Sequence, residues 1–109
     1  DSDDGGRTWT PARLTPMLGF PPHLTRLQDD RLLVVYGRRL DPFGQRACLS
    51  DDEGVTWDSK NERVMQAAPN DDLGYPASAQ LADESIVTVY YQVHEPGEKT
   101  CLMATRWRL

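Results

Sequence analysis

The stretch Ser50-Asp51-Asp52-Glu53-Gly54-Val55-Thr56-Trp57 is a second copy of a motif that occurs 48 residues earlier in the chain. The first copy is Ser2-Asp3-Asp4-Gly5-Gly6-Arg7-Thr8-Trp9. The two copies share the skeleton S-x-D-x-G-x-T-W. An aspartate side chain can accept backbone N–H groups inside a turn, and glycine adopts a positive φ without strain. The skeleton therefore predicts the same turn at two places, and a period near 50 residues is typical of repeat folds.

A second repeat has an offset of 54 residues and matches Leu27–Tyr36 with Leu81–Tyr90. Each copy is introduced by a glycine, an aromatic residue and a proline, which are Gly19-Phe20-Pro21 and Gly74-Tyr75-Pro76. Because the two offsets differ, the sequence indicates one structural unit whose loops vary in length.

The repeated unit reads as β-structure throughout. Short apolar runs rich in β-branched and aromatic residues, Leu32–Tyr36 and Ile86–Tyr91, are bounded by turn residues. Asp29-Asp30 and Asp83-Glu84 stand where tight hairpin turns are expected. No stretch keeps a helical period, so the sequence predicts an all-β protein.

The unit contains four predicted antiparallel strands, which is typical of a β-propeller blade. The strands are predicted at residues 23–27, 31–38, 45–50 and 63–67, and a later one at 100–107. Residues 1–18 then form a turn and strand 4 of one blade, residues 19–68 a complete blade, and residues 69–109 strands 1–3 of the next.

Two blades leave apolar faces and strand edges uncovered, because a propeller ring closes with about 4–8 blades. The sequence therefore predicts one of two partners for this chain. Either copies of the chain complete the ring as a homo-oligomer, with a trimer favoured, or the missing blades belong to a longer form of the same chain.

Composition excludes several classes of function. Lys and Arg number 12 against 17 Asp and Glu, a net charge of −5, which argues against nucleic acid as a partner. No apolar run approaches the roughly 20 residues of a membrane span, and no secretory leader is visible, so no compartment is indicated. Cys48 and Cys101 fall in predicted third strands as small apolar groups. No metal-binding spacing is present, and neither a metal nor another cofactor is expected.

The two S-x-D-x-G-x-T-W copies, each between a third and a fourth strand, resemble the Asp-boxes (BNR repeats) of sialidases and related Asp-box propellers. The resemblance implies about two blades of a six-bladed sialidase-type propeller. It gives the box residues a structural role, in which Asp and Gly shape the turn, Ser and Thr bind local backbone groups, and Trp packs between blades. The residues concerned are Ser2, Asp4, Gly6, Thr8, Trp9, Ser50, Asp52, Gly54, Thr56 and Trp57.

Blade topology places the loops between strands 2 and 3, and the connections between blades, on the face opposite the boxes. Sialidases, or neuraminidases, hold the carboxylate of an acidic sugar with arginines and attack it with a tyrosine. By resemblance, Arg46 would clamp the substrate carboxylate and Tyr75 would stand at the nucleophile position. Arg38 and Arg39 are further candidates for binding the anion on the same face.

Two functions remain open at this point. The first is a partial sialidase-like glycoside hydrolase, inactive as a single chain because the other catalytic groups of the family lie in earlier blades. The second is a non-catalytic Asp-box module that binds carbohydrate or protein and completes its ring by oligomerising. On the second interpretation Tyr75, which aligns with Phe20 in the repeat, is simply a packing aromatic.

Overall fold

The computed structural model describes residues 1–109 and contains seven strands in two open antiparallel sheets. The first sheet consists, in order, of β1 (Pro22–Arg26), β2 (Leu32–Arg38), β3 (Gly44–Ser50) and β4 (Arg63–Ala67). The second consists of β5 (Leu73–Gln80), β6 (Ile86–Val93) and β7 (Thr100–Trp107). The all-β prediction is confirmed. The only helical segment is a 3-10 turn at Ser59–Asn61, and no helix could cross a membrane.

The two predicted hairpin turns are present and are built alike. In the first, Asp30 N–H donates to the Leu27 carbonyl at 3.1 Å, and Asp30 has a positive φ of 69°. In the second, Glu84 N–H donates to the Leu81 carbonyl at 3.0 Å, with a φ of 66°. The sequence predicted these turns at Asp29-Asp30 and Asp83-Glu84. The turns set the register of β1 with β2 and of β5 with β6.

The main core lies between the two sheets. Its buried side chains come from the side of the first sheet that meets the second sheet, and from Ile86 of β6: Leu27, Leu33, Val35, Ala47 and Ile86. The alternate side chains of β2 point to the opposite side, where Val34 and Tyr36 form a smaller cluster with Cys48. Since both sides of β2 are covered, its sequence is an apolar run rather than an apolar and polar alternation.

Polar groups inside the smaller cluster are satisfied. The Tyr36 hydroxyl donates to the Glu62 carboxylate, and burial raises the pKa of the Tyr36 phenol well above its ordinary value. Burial also raises the pKa of the Cys48 thiol. In the second sheet the equivalent Tyr90 hydroxyl lies 2.7 Å from the Thr105 hydroxyl. Both tyrosines are therefore core residues.

The inner strands of the two sheets approach each other closely. A Cβ atom at Gly37 would lie 2.9 Å from the Cα of Gly74, so only glycine fits there. Beside this contact, Ser78 N–H donates to Nδ1 of His23 at 3.3 Å, and the Thr25 hydroxyl donates to the Ser78 carbonyl at 3.2 Å. These contacts hold β5 against β1 and β2.

Residues 1–21 contain no strand, so the prediction that residues 1–18 include a fourth strand is wrong for this structure. A fourth strand needs an antiparallel third strand beside it, and none of the seven strands pairs with this segment.

The prediction that both cysteines pack as small apolar groups is wrong for Cys101, which is exposed. Cys48 pairs with Val34 of β2, and the residue at the matching place of β7 is Thr105, which pairs with Thr88. Cys101 lies earlier on β7 and is exposed, while Cys48 is buried. The third strands therefore match over their apolar register and not over their cysteines.

The core contact between the sheets gives a direct stability prediction. Ile86→Ala should lower the free energy of unfolding by about 2–5 kcal/mol, because it removes a fully buried side chain and leaves a cavity between the sheets. Urea unfolding followed by far-UV circular dichroism measures the change. Val55→Ala, at a side chain that is 59% exposed, is the control and should change stability little. Equal losses for the two variants would contradict this view of the core.

Candidate functional site

Asp52 organises the turn that joins β3 to the segment before β4. Its carboxylate accepts the Thr56 N–H at 2.8 Å and the Thr56 hydroxyl at 2.6 Å. The Ser50 hydroxyl donates to Asp52 at 2.9 Å and accepts the Gly54 N–H at 2.8 Å. Gly54 has a φ of 80°. The Thr56 hydroxyl bond and the other bonds hold the pKa of Asp52 below its ordinary value.

The earlier copy of the motif forms the same turn. Asp4 accepts the Thr8 N–H at 2.9 Å and the Thr8 hydroxyl at 2.6 Å, and Gly6 has a φ of 88°. These bonds, led by that of the Thr8 hydroxyl, lower the pKa of Asp4 to about 2. Both carboxylates are therefore engaged within their own turns, as the residue types predict.

The two tryptophans of these turns differ in their surroundings. Trp57 packs against the cluster of Val34, Tyr36 and Cys48. Trp9 is 71% exposed, with its indole N–H donating to the Gly6 carbonyl at 3.0 Å. The prediction that each box tryptophan is packed against a sheet is thus wrong for Trp9 in this structure, since no sheet stands behind its turn.

An arginine lies at the junction of the two sheets within 6 Å of the centres of two aromatic rings. The Arg39 guanidinium, just after β2, lies 5.3 Å from the ring centre of Phe20 and 5.9 Å from that of Tyr75. Tyr91 of β6 completes the group, with its ring centre 5.8 Å from that of Tyr75. We call these four residues the arginine–aromatic cluster. Phe20 and Tyr75 are the aromatic residues that introduce the two repeats.

Hydrogen bonds fix the Arg39 guanidinium in this cluster. Its Nε donates to the Leu73 carbonyl at 2.8 Å, and its Nη2 donates to the Tyr91 hydroxyl at 2.9 Å. Nη1 has no protein partner, and no carboxylate lies within 4.0 Å. In a chain with an excess of acidic residues, Arg39 is thus a positioned cation whose charge no protein anion neutralises.

Tyr75 presents its ring to solvent at this place. It lies at an irregularity in the pairing of β5 with β6, between Gly74 and Ala77, and has a φ of 50°. A positive φ is uncommon for an aromatic residue and is found where the surrounding structure enforces it. The side chain is 66% exposed, and its hydroxyl has no hydrogen-bond partner in the protein. No carboxylate is bonded to it.

The other two arginines proposed from the sequence are placed differently. Arg46 is only 5% exposed, its Nη2 donates to the Pro42 carbonyl at 2.7 Å, and its Nε has no partner. It pairs across the strands with Tyr36, so it points to the side of the first sheet that faces away from the second. Arg38 donates to the Asp41 carbonyl at 3.3 Å. The structure therefore brings Arg39 together with Tyr75 but does not bring Arg46 to them.

The larger clefts of the protein lie elsewhere. One of about 690 Å³ runs beside the first sheet and is lined partly by Trp9, Leu14, Leu24 and Trp57. Another is polar, and its two arginines are already paired, Arg31 with Asp29 and Arg108 with Asp83. No group of three or more His, Cys, Asp or Glu side chains is arranged to hold a metal ion. Two held arginines have no carboxylate partner, Arg39 and Arg46, and of these only Arg39 lies beside exposed aromatic rings, since Arg46 is buried.

Sequence reasoning missed two members of the cluster, Phe20 and Tyr91. Phe20 could have been found, because it aligns with Tyr75 in the repeat and both precede a first strand. Tyr91 had no such signal. It is one of several aromatic residues in an apolar strand, and only the bend of the chain at Gly74 brings its hydroxyl to Arg39.

The structure thus defines an all-β protein of two open sheets with a cationic and aromatic cluster at their junction. No known protein family and no curated protein matches the sequence. Among solved structures, the chain is similar to a protein of unknown function from Dyadobacter fermentans DSM 18053, with 32% identity and a TM-score of 0.86. The match covers 99% of this chain and 30% of that chain, so this chain spans less than a third of the length of that structure.

The Asp52 turn predicts a pH dependence of stability. Because the pKa of Asp52 is lower in the folded state, its stabilising effect is fully present above the ordinary pKa of 3.8 and is lost as the pH falls through the folded value. Asp52→Ala should therefore lower the urea midpoint at neutral pH, and its difference from the unmutated protein should shrink below pH 3.8.

Urea unfolding at several pH values measures this difference. Asp51→Ala is the matched control in the same turn, since the Asp51 side chain accepts no hydrogen bond there, and it should leave the midpoint nearly unchanged. An Asp52→Ala deficit that stays constant down to the lowest pH would show that the carboxylate does not organise the turn.

Proposed function

We propose that this chain is part of a sialidase-like Asp-box β-propeller and that its arginine–aromatic cluster binds the carboxylate of an acidic sugar. The observation that carries the proposal is Arg39. It is held by the Leu73 carbonyl and the Tyr91 hydroxyl, it has no carboxylate partner, and it lies beside two exposed aromatic rings.

The chemistry of the cluster suits such a ligand. A guanidinium binds a carboxylate through parallel N–H donors from two of its nitrogens. The two bonds that Arg39 makes to the protein leave both N–H groups of Nη1 and one of Nη2 for such a pair. The rings of Phe20 and Tyr75 offer apolar surface beside the charge. An acidic sugar combines a carboxylate with C–H surfaces that pack on aromatic rings, so both features of the cluster have a use.

The propeller part of the proposal is supported by the repeat and by the comparison. Two sheets built from the same repeated unit pack face to face, and the same Asp turn follows β3 and opens the chain at residues 2–9. The similar solved structure contains this arrangement within a chain more than three times as long. If each sheet is one blade, two blades are about a quarter to a half of a ring of about 4–8 blades. The 30% of the longer chain that the match covers falls in that range.

Tyr75 is the residue that we propose for the nucleophile position of a hydrolase. A phenol suits an anionic substrate, because a carboxylate nucleophile would repel it. Tyr75 is exposed next to Arg39, but no glutamate or aspartate is bonded to its hydroxyl to activate it. The single chain would therefore bind the sugar without hydrolysing it, and hydrolysis would need groups supplied by further blades.

The lack of an activating carboxylate favours a second candidate, a non-catalytic Asp-box module that binds the same ligand. In that case Tyr75 serves only as a packing surface for the sugar. The two candidates share the binding site and differ in turnover, so one set of variants tests both.

Titration of the protein with N-acetylneuraminic acid, followed by NMR shifts or calorimetry, tests the binding. Binding should be saturable, and Arg39→Gln should weaken it about tenfold or more, because a charge-assisted bond is lost. Arg39→Lys, which keeps the charge but not the planar fork, should also weaken it. Arg38→Gln is the matched control and should bind like the unmutated protein.

Turnover of a fluorogenic sialoside separates the two candidates when it is measured on a form of the protein that contains the further blades, because both candidates predict no turnover by the single chain. Hydrolysis that disappears in a folded Tyr75→Phe variant supports the sialidase-like hydrolase. Saturable binding without turnover supports the non-catalytic module. If the unmutated protein does not bind the acidic sugar, or if Arg39→Gln binds it as well as the unmutated protein does, the proposed site is wrong.

A further inference from the structure

The two sheets differ in the number of strands. In the first sheet the Asp52 turn follows β3, and the chain returns as β4 to pair with it. In the second sheet β7 is the last strand, so its outer edge has no partner along Thr100–Trp107. An open edge of this length is a template for pairing with another segment.

The N-terminal segment has the opposite property. Residues 2–9 form the same Asp turn that leads from β3 into β4, and none of the seven strands pairs with the residues that follow this turn. The residues after the turn form no strand, and Leu14 is fully exposed in them, as Trp9 is largely exposed. The segment therefore has the turn that leads into a fourth strand, while β7 lacks a fourth strand.

The outer face of the second sheet, the side turned away from the first sheet, is also uncovered. Val89 is 43% and Leu102 81% exposed there. The apolar residues of this outer face include Leu81, Val87, Val89, Leu102 and Ala104, and the strand register adds Ala77, Ala79 and Tyr91.

The repeat shows what such a face packs against. Val89 matches Val35 in the repeat, and its cross-strand partner Ala104 matches Ala47, the partner of Val35. Val35 and Ala47 are buried in the core between the two sheets, together with Ile86. The outer face of the second sheet thus has the residue types of a face that is already packed in this protein.

The surface that would meet this outer face is also present. Ile86 and Tyr90 of the second sheet face the first sheet, and their equivalents in the repeat are Leu32 and Tyr36. These lie on the free face of the first sheet, the side turned away from the second sheet. Leu32 is half-buried there, and Tyr36 is already buried beside Met17 and Trp57. The apolar surface still exposed on that free face is that of Leu24 and Val64, which are each more than half exposed. The free face and the outer face therefore carry residue types of the internal interface, and both have exposed apolar side chains.

We propose that a second copy of this chain docks head to tail on the first. The free face of the second copy packs on the outer face of the first copy. The N-terminal segment of the second copy, between Pro11 and Pro16, pairs with β7 of the first copy as its fourth strand. Prolines are tolerated there because the fourth strand is an edge strand. The contact joins two different surfaces, so it continues around a ring. Three copies, with two sheets each, would supply the sheets of a ring of about six blades. In a longer chain the same two surfaces would meet neighbouring sheets of that chain.

Light scattering and hydrogen exchange on the 109-residue chain test this proposal. The expected mass is three times 12.3 kDa, shifting to lower mass on dilution. Peptides covering residues 10–16 and 100–107 should gain protection from exchange in the associated form. Val89→Lys should weaken association at least tenfold while circular dichroism still shows strands, because the side chain is exposed in the single chain.

Leu40→Lys is the matched control, since Leu40 is an exposed apolar residue in the loop between β2 and β3, away from both surfaces. It should associate like the unmutated protein. A folded chain that stays at 12.3 kDa at high concentration overturns the proposal. So does an assembly in which residues 10–16 exchange freely, or one that Val89→Lys and Leu40→Lys weaken equally.

Discussion

The structure depends on one constraint, which is that β2, the apolar strand inside the first sheet, must be covered on both of its sides. Between the two sheets this is achieved by Leu33, Val35 and Ala47 packing against Ile86. On the far side of the first sheet, Tyr36 and Cys48 are covered by Trp57 and Met17. A half-buried sheet of alternating polar and apolar residues would need only one covered side. The apolar run of β2 therefore requires packing on both sides of the first sheet. The packing of the second sheet against it decides where the rest of the chain can lie.

The candidate site is a consequence of that stacking. The close approach of Gly37 to Gly74 brings the end of β2 against the start of β5. Arg39 follows β2 and crosses this junction to reach the Leu73 carbonyl and the Tyr91 hydroxyl on the second sheet. The aromatic residues that introduce the repeats, Phe20 and Tyr75, then stand on either side of its guanidinium. The site belongs to neither sheet alone, which is why its charge remains available to a ligand while the arginines near the hairpin turns are paired with aspartates.

Much of the fold could be predicted because its signals are local. The strand at 63–67 was placed at its observed bounds and the first three strands of the first sheet to within one residue. The Asp29-Asp30 and Asp83-Glu84 hairpins and the hydrogen bonds of Asp4 and Asp52 follow from residue types within a few positions of one another. The prediction failed where pairing with a distant strand decides the outcome. Residues 10–18 have a sequence compatible with an edge strand, but a strand forms only beside a partner. Cys101 was predicted to pack as a small apolar group, as Cys48 does, but the pairing of β7 with β6 places Thr105, and not Cys101, at the position that matches Cys48.

The amino-acid sequence by itself determined the repeat, the two Asp turns, the hairpins and the all-β class, because each rests on contacts between near neighbours in the chain. It also marked Tyr75 and Arg39 as residues on the loop side of the sheets. Only the tertiary structure decided that Arg39, and not Arg46, lies beside Tyr75. Neighbouring residues of a strand point to opposite sides, so the burial of Arg46 behind the first sheet depends on which side meets the second sheet. The half-buried place of Arg39 at the junction depends on the same packing. That choice is made by packing between segments more than 30 residues apart, as in the contact of Arg39 with Leu73.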